Sequence, residues 1–428
     1  MVRTVFALLL ALMVTASARA QFLMDMVDTT TETGKGLLNI YKKFDHLRFS
    51  GYIQPQFQWA SAKGAPSYEG GDFAPRVNNR FMLRRSRIRL DYVHYNASHK
   101  PGVQFVFQFD VNERNFTIRD VWGRIFENRF KCFSFTTGMF ARPFGYEVNL
   151  SSSYRESPER GRMSQTLMPG ERDLGFMLSF EPQDKKHPLY HFKLDAGFFN
   201  GQGVTGTTDF DSYKDLISRL TIKPFTAGSW QIGGGLSLLH GGWKNGTKYV
   251  YSLGRSVAGD PTFLVDSAQS NLGKSSPRHY YGADLQIKLK HGWGETEWRA
   301  EYWFGKQPGK ATSTANPGTL PASNGVLLPT YVRSFNGAFF YFIQSIVNMR
   351  HQLILKYDWY DPNRKVSGNQ IGKAGTNFTA ADVRYGTVGL GYLYHFNSQT
   401  QVVFYYALVK NEITALAGYS SNLEDNIF

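Results

Sequence analysis

One cysteine, Cys132, stands among 428 residues, which excludes an intramolecular disulfide and a thiolate metal cluster. No apolar run after the N-terminus reaches the ~18 residues that a membrane-spanning helix needs. The mean hydropathy of −0.35 is also too low for a helical membrane protein. A chain of this kind crosses a bilayer only as a closed β-barrel. Catalytic motifs are missing too: there is no H-E-x-x-H pair, no G-x-S-x-G elbow between strand and helix, and no Walker sequence. The expectation is therefore no enzyme activity and no cofactor. Acid is in deficit, with 34 Asp and Glu against 48 Lys and Arg, a net charge of +14. That balance points to an anionic partner.

What is present begins with a secretory signal over residues 1–20. Arg3 supplies the positive start, VFALLLALMV the short apolar core, and Ala18-Arg19-Ala20 the cleavage site. An exported chain has no access to nucleic acid, so a small anion or a lipid surface is the partner to expect. Residues 21–46 show no alternation and read as a periplasmic lead-in with a possible short helix near Leu37–Phe44.

From Leu47 the period becomes two. Leu47, Phe49, Ile53, Phe57 and Trp59 alternate with Arg48, Ser50, Gln54, Gln56 and Gln58. Phe105, Phe107 and Phe109 oppose Gln104, Gln108 and Asp110, and Leu285, Ile287 and Leu289 oppose Asp284, Gln286 and Lys288. About fifteen such segments follow one another, each near the ~9–11 residues of a tilted membrane strand. Connectors alternate between short (96–101, 181–188, 224–229, 290–293, 345–350, 397–399) and long (60–79, 145–172, 240–278, 305–331, 361–381). A soluble sandwich has no reason to sort loop length by parity; an outer-membrane barrel does. Glycine (42 residues) and aromatics (15%) fit many turns and aromatic girdles. The expected fold is an all-β transmembrane antiparallel barrel of about 16 strands over residues 47–428, polar inside and apolar outside. The fifteenth strand, near 400–409, ends outside, and the residues after it do not alternate. The chain as given is thus expected to stop inside its last strand; the alternative is a return strand through Ile413, Ala415, Ala417 and Tyr419.

The candidate site is made of arginine. Arg85, Arg87 and Arg89 leave one face of one strand. Such guanidiniums repel unless anions sit nearby, either mobile ones in the lumen or Asp91, Asp110 and Asp120 on neighbouring strands. Both readings stay open: a ladder that draws anions inward, or ion pairs that stiffen the wall. Arg84 is expected to face lipid or the rim. Arg124 shares a polar face with Asp120 and Trp122. The loop at about 145–172 is expected to fold inward, with Arg155, Arg160, Arg162 and Arg172 on it and Arg142 before it. Glu147, Glu156, Glu159 and Glu171 lie among them, so self-pairing of the loop is the competing reading. Trp122, Trp303 and Tyr360 offer stacking surfaces for a sugar ring.

The run Gly138-x-Phe140-x-x-Pro143-Phe144-Gly145-x-Glu147 resembles the signature of the porin O/P family, the phosphate-selective outer-membrane porins. Residues 159–161 (ERG) and 169–175 (PGERDLG) are similar as well. Phe199-Asn200-Gly201, Ala300-Glu301-Tyr302 and Tyr357-Asp358 look like later family motifs. The resemblance implies a 16-stranded barrel, usually a homotrimer in outer-membrane lipid of a Gram-negative cell. It further implies a constriction loop in the lumen and basic residues guiding small anions such as phosphate. The fold carries over more safely than the substrate. The rivals are a general or sugar-permeable pore and, from another class, a barrel enzyme or adhesin.

Overall fold

The structure, a computed structural model, describes residues 46–96, 99–204, 206 and 208–428. The signal segment and nearly all of 21–46 lie outside the described residues. From Leu47 onward the polypeptide is a succession of strands. They are β1 (Leu47–Trp59), β2 (Asn79–Tyr95), β3 (Pro101–Val111), β4 (Phe116–Phe126), β5 (Phe133–Ala141), β6 (Arg172–Phe180), β7 (Phe192–Phe199), β8 (Asp215–Ala227) and β9 (Trp230–Lys244). After them come β10 (Val250–Arg255), β11 (Pro261–Asp266), β12 (Ser275–His291), β13 (Gly294–Gly309), β14 (Ala322–Ser323) and β15 (Val326–Leu327). The last four are β16 (Thr330–Ile346), β17 (Asn348–Asp361), β18 (Tyr385–His395) and β19 (Gln401–Asn411).

Seventeen of these strands share one sheet. Each wall strand pairs antiparallel with the next along the chain, and β9 passes its partner role to β12 and β13 to β16. The β10–β11 hairpin stands in the connector between and touches β16 in parallel. Neighbouring strands in the sheet are therefore neighbours in sequence, which is why alternation alone locates them. Residues 412–426 make turns and bends rather than the alternative return strand. Ile427 bridges Ala60 on one side and Ala407 on the other. Loop lengths sort by parity with one exception: β3 and β4 are joined at the long-loop end by residues 112–115 alone.

The outward faces are apolar. Phe105, Phe107, Phe135, Phe176, Leu285, Phe340 and Leu355 are all exposed. The inward faces carry two kinds of surface, and only one is polar. A cluster of Phe140, Phe144, Met163, Leu167, Phe199, Tyr280, Trp303, Phe335 and Tyr360 is buried inside the wall. Residues of the loop after β5 supply its centre and several strands its rim, so one side of the interior is packed dry. The strand pattern hides this, because β16 alternates apolar with apolar: Phe339, Tyr341 and Ile343 face in while Phe340 is exposed outside.

Candidate functional site

Residues 142–171 connect β5 to β6 and meet inward side chains from well-separated wall strands. Gly145 donates its N–H to Ser237 on β9 at 2.9 Å. The Glu301 carboxylate of β13 accepts the N–H groups of Tyr146 (2.8 Å) and Glu147 (2.9 Å) and the Trp303 indole N–H (2.6 Å). Ser157 and Tyr341 of β16 share a hydroxyl hydrogen bond of 2.5 Å, and Lys356 of β17 donates to the Glu159 carbonyl at 3.3 Å. On the side facing β2, the Arg87 guanidinium donates to Ser152 at 2.7 Å. One loop thus touches β2, β9, β13, β16 and β17, so the sheet curls around it.

The signature residues explain how the loop is held. Phe144 is wholly buried edge-on against Trp303, with centroids 4.8 Å apart. Gly145 has φ of +69°, and a Cβ there would lie 2.2 Å from the Glu301 carboxylate and 2.7 Å from Trp303. Only glycine satisfies both demands. Glu147 braces the loop from within by accepting the Gly161 N–H (2.9 Å) and the Ser164 hydroxyl (2.6 Å) ahead of the short helix α1, Arg162–Leu167. The motif is the loop's docking code, not its solute contact.

The arginines converge on two loop carboxylates. Glu159 receives Arg84 through Nε at 2.7 Å, Arg85 in a close pair, and Arg155 at 3.6 Å. Glu171 receives Arg119 in a close pair, Arg160 at 3.0 Å and Arg172 at 3.0 Å. Arg172 also reaches Asp120 at 3.2 Å, and Arg87 reaches Asp110 at 3.0 Å. Burial alone would raise both glutamates; the arginines more than offset it and hold both carboxyls well below the usual range. Seven arginines (Arg84, Arg85, Arg87, Arg119, Arg155, Arg160 and Arg172) therefore surround four carboxylates (Asp110, Asp120, Glu159 and Glu171). Buried Arg119 Nε, Arg155 Nε and Nη1, and Arg160 Nε find no hydrogen-bond acceptor among the described residues.

The remaining candidates do not share these carboxylates. Arg89 forms a two-pronged pair with Asp91 on its own strand, at 2.7 and 2.8 Å. Arg124 donates to Thr136 at 2.8 Å and sits 5.0 Å over the Trp122 ring. Arg142 is fully buried and spends its donors on the carbonyls of Glu171 and Pro169, each at 3.4 Å. Arg162 stacks 3.6 Å over Tyr385 and 4.3 Å over Tyr68.

Two expectations need correction. Arg84 does not face lipid. Phe81 points outward against Phe57 (4.8 Å) while Arg80 reaches Gln58 inside (2.9 Å), and Arg85 reaches Gln54 inside (3.2 Å). The alternation slips by one residue between them, so Arg84 and Arg85 both enter the lumen, as at a β-bulge. Trp303 and Tyr360 offer no stacking face, at 0% and 4% exposure within the apolar cluster. Arg119 escaped sequence reading for the same reason as Arg84. Phe109 pairs with Ile118 and Gln108 with Asp120, which leaves Arg119 as the extra residue of a bulge. A break in strict alternation beside a charge was the only signal. Among the described residues no group of three or more His, Cys, Asp or Glu side chains converges as a metal site.

No protein-family model and no curated protein matches this chain. Solved structures do. OprB of Pseudomonas putida superposes with a TM-score of 0.55 at 9% identity, over 93% of this chain and 94% of its own. The chain has the β-barrel fold of outer-membrane porins. Looser superpositions are found with the outer membrane channel DcaP of Acinetobacter baumannii (TM-score 0.48, 12% identity, 89% and 94% coverage). The loop L8 deletion mutant of OmpT, an outer membrane protein of Vibrio cholerae, is similar to the same degree (0.46, 12%, 90% and 97%). Identities this low speak for the fold alone.

Proposed function

We propose that this chain is a passive diffusion porin of a Gram-negative outer membrane, non-enzymatic, with a modest preference for small anions, phosphate among them. The observation that carries the anion preference is the excess of three arginines over carboxylates where the loop meets β2, β4 and β6; the acids of the loop's opposite contact, with β13 and β17, lie on the other side. Pairing cancels contact energies, but a passing ion responds to net charge. For an ion about 8 Å away in water, one uncompensated charge is worth about 0.5 kcal/mol, cut to about 0.2 kcal/mol at physiological salt. Three such charges, acting with opposite sign on anion and cation, give a permeability ratio of about threefold to tenfold. Arg89, whose side chain is 34% exposed, offers phosphate oxygens a guanidinium within reach, which the buried seam arginines do not. A homotrimer is the assembly that goes with this reading. The test is solute efflux from liposomes holding the purified chain: phosphate and small sugars should both leave, phosphate faster at equal size. Retention of both would point to a plugged barrel, the adhesin-like alternative.

A further inference from the structure

Each seam arginine inside this barrel has a carboxylate partner, even where one carboxylate serves several, whereas a row of cations outside it has none. Strand register places His240 of β9 beside His279 of β12, His279 beside Lys306 of β13, and Lys306 beside Ser334 of β16. The two imidazoles stack, with centroids 4.2 Å apart and planes 18° from parallel. All four residues point away from the lumen, because the next residues along, Leu239 and Tyr280, are the ones buried in the interior cluster. His240 and Lys306 are exposed. Among the described residues no carboxylate lies within ion-pair distance of His240, His279 or Lys306.

The level of this row in the wall gives it meaning. It lies at the long-loop ends of β9, β12 and β13. The adjacent outward row toward the centre of the sheet holds Leu238, Tyr281 and Phe304, with the last two rings stacked at 5.3 Å. Beyond that lie Leu236, Ala283 and Tyr302. The row is thus the first polar level above an aromatic belt, where a bilayer changes from acyl chain to headgroup. Neighbouring strands are about 4.8 Å apart, so His240 to Lys306 spans about 10 Å, enough to flank a phosphate group.

We propose that this row binds the phosphate of a phosphorylated glycolipid headgroup in the outer leaflet. The inference rests on the outer-membrane reading but not on conduction. Lys306 would supply a point charge and the histidines ring N–H donors, while the aromatic belt below receives the acyl chains. A basic group near a membrane surface is worth about fivefold in binding to anionic lipid.

The experiment measures retention of lipid A by the full chain in detergent, using native mass spectrometry. Fully phosphorylated lipid A, dephosphorylated lipid A and inorganic phosphate are compared. Wild type should retain the phosphorylated lipid and not the dephosphorylated one. Lys306→Gln should weaken retention about fivefold, and Lys306→Gln with His240→Gln should reduce it to the dephosphorylated level. Lys410→Gln, which changes an exposed lysine on β19, should leave it unchanged. Equal retention of both lipids, or equal retention by the double variant and the Lys410→Gln control, overturns the proposal. Displacement by inorganic phosphate at equimolar concentration would mark a free-anion site and also overturns it. Single-channel conductance of the double variant should match wild type. Phosphate-dependent retention by a chain that conducts nothing would support this site while removing the channel reading.

Discussion

Replacing Glu159 by glutamine removes the carboxylate that Arg84, Arg85 and Arg155 share. The three guanidiniums then surround a neutral amide. Arg85 keeps only Gln54 at 3.2 Å and the Pro158 carbonyl at 3.4 Å. Removing one partner of a buried ion pair typically costs about 3–5 kcal/mol. Here the cost falls on the loop seam and not on the strand ladder, because the backbone pairing of β2 is untouched. The rest of the docking, through Glu301 and the apolar cluster, stays in place. The loop should therefore loosen at its Arg155–Arg162 stretch without the barrel unfolding. Trypsin reads this directly, since Arg155 and Arg160 are buried at 4% and 7% exposure in the intact chain. Wild type should resist cleavage there and Glu159→Gln should be nicked. The same substitution raises the seam's excess charge by one, so chloride preference over potassium should rise about twofold. A variant that resists trypsin and keeps the wild-type reversal potential would refute the role assigned to Glu159.

Gly145→Ala should undo the docking end of the loop. It combines a left-handed backbone with a Cβ 2.2 Å from Glu301, and a loss of about 1–3 kcal/mol should appear as a larger, noisier single-channel conductance. Trp303→Ala should lower the thermal unfolding midpoint through a cost of about 3–5 kcal/mol, because the ring is fully buried in the interior cluster. Glu69, in the β1–β2 loop, is pushed up to about 7 by burial, with Lys356 acting to lower it and Glu159 to raise it. Its raised value means that its stabilising effect is present below the ordinary 4.5 and lost as pH rises through 7. Thermal midpoints measured at pH 5.5 and 8 should differ in wild type and differ less in Glu69→Gln. The lowered Glu159 and Glu171 carboxyls work the other way: their contribution is present above the ordinary range and lost only as pH falls below it. Trypsin resistance of the loop should accordingly be constant from pH 8 to 5.

The wall was legible because each strand has one wet and one apolar face, and Phe105, Phe107 and Phe109 against Gln104, Gln108 and Asp110 state this outright. Three things were not. Bulges at Arg84–Arg85 and at Arg119 place neighbouring residues on one face, and strict alternation assigns one of each pair wrongly. The dry side of the interior was hidden because Phe339, Tyr341 and Ile343 of β16 alternate with Phe340 and Phe342, which are apolar too. Pairing across the lumen was invisible as well. Glu159 and Glu171 lie 75 and 52 positions from Arg84 and Arg119, and only the inward course of the loop brings them together.

The central claim is conduction past a positively charged face, where the loop meets β2, β4 and β6. The direct measurement is the reversal potential of the purified wild-type chain in a planar bilayer under a KCl gradient. The expected result is ohmic, stepwise conductance with a reversal potential of the sign set by chloride, corresponding to a permeability ratio of about threefold to tenfold. Absence of conductance, or a reversal potential with the sign set by potassium, would contradict it.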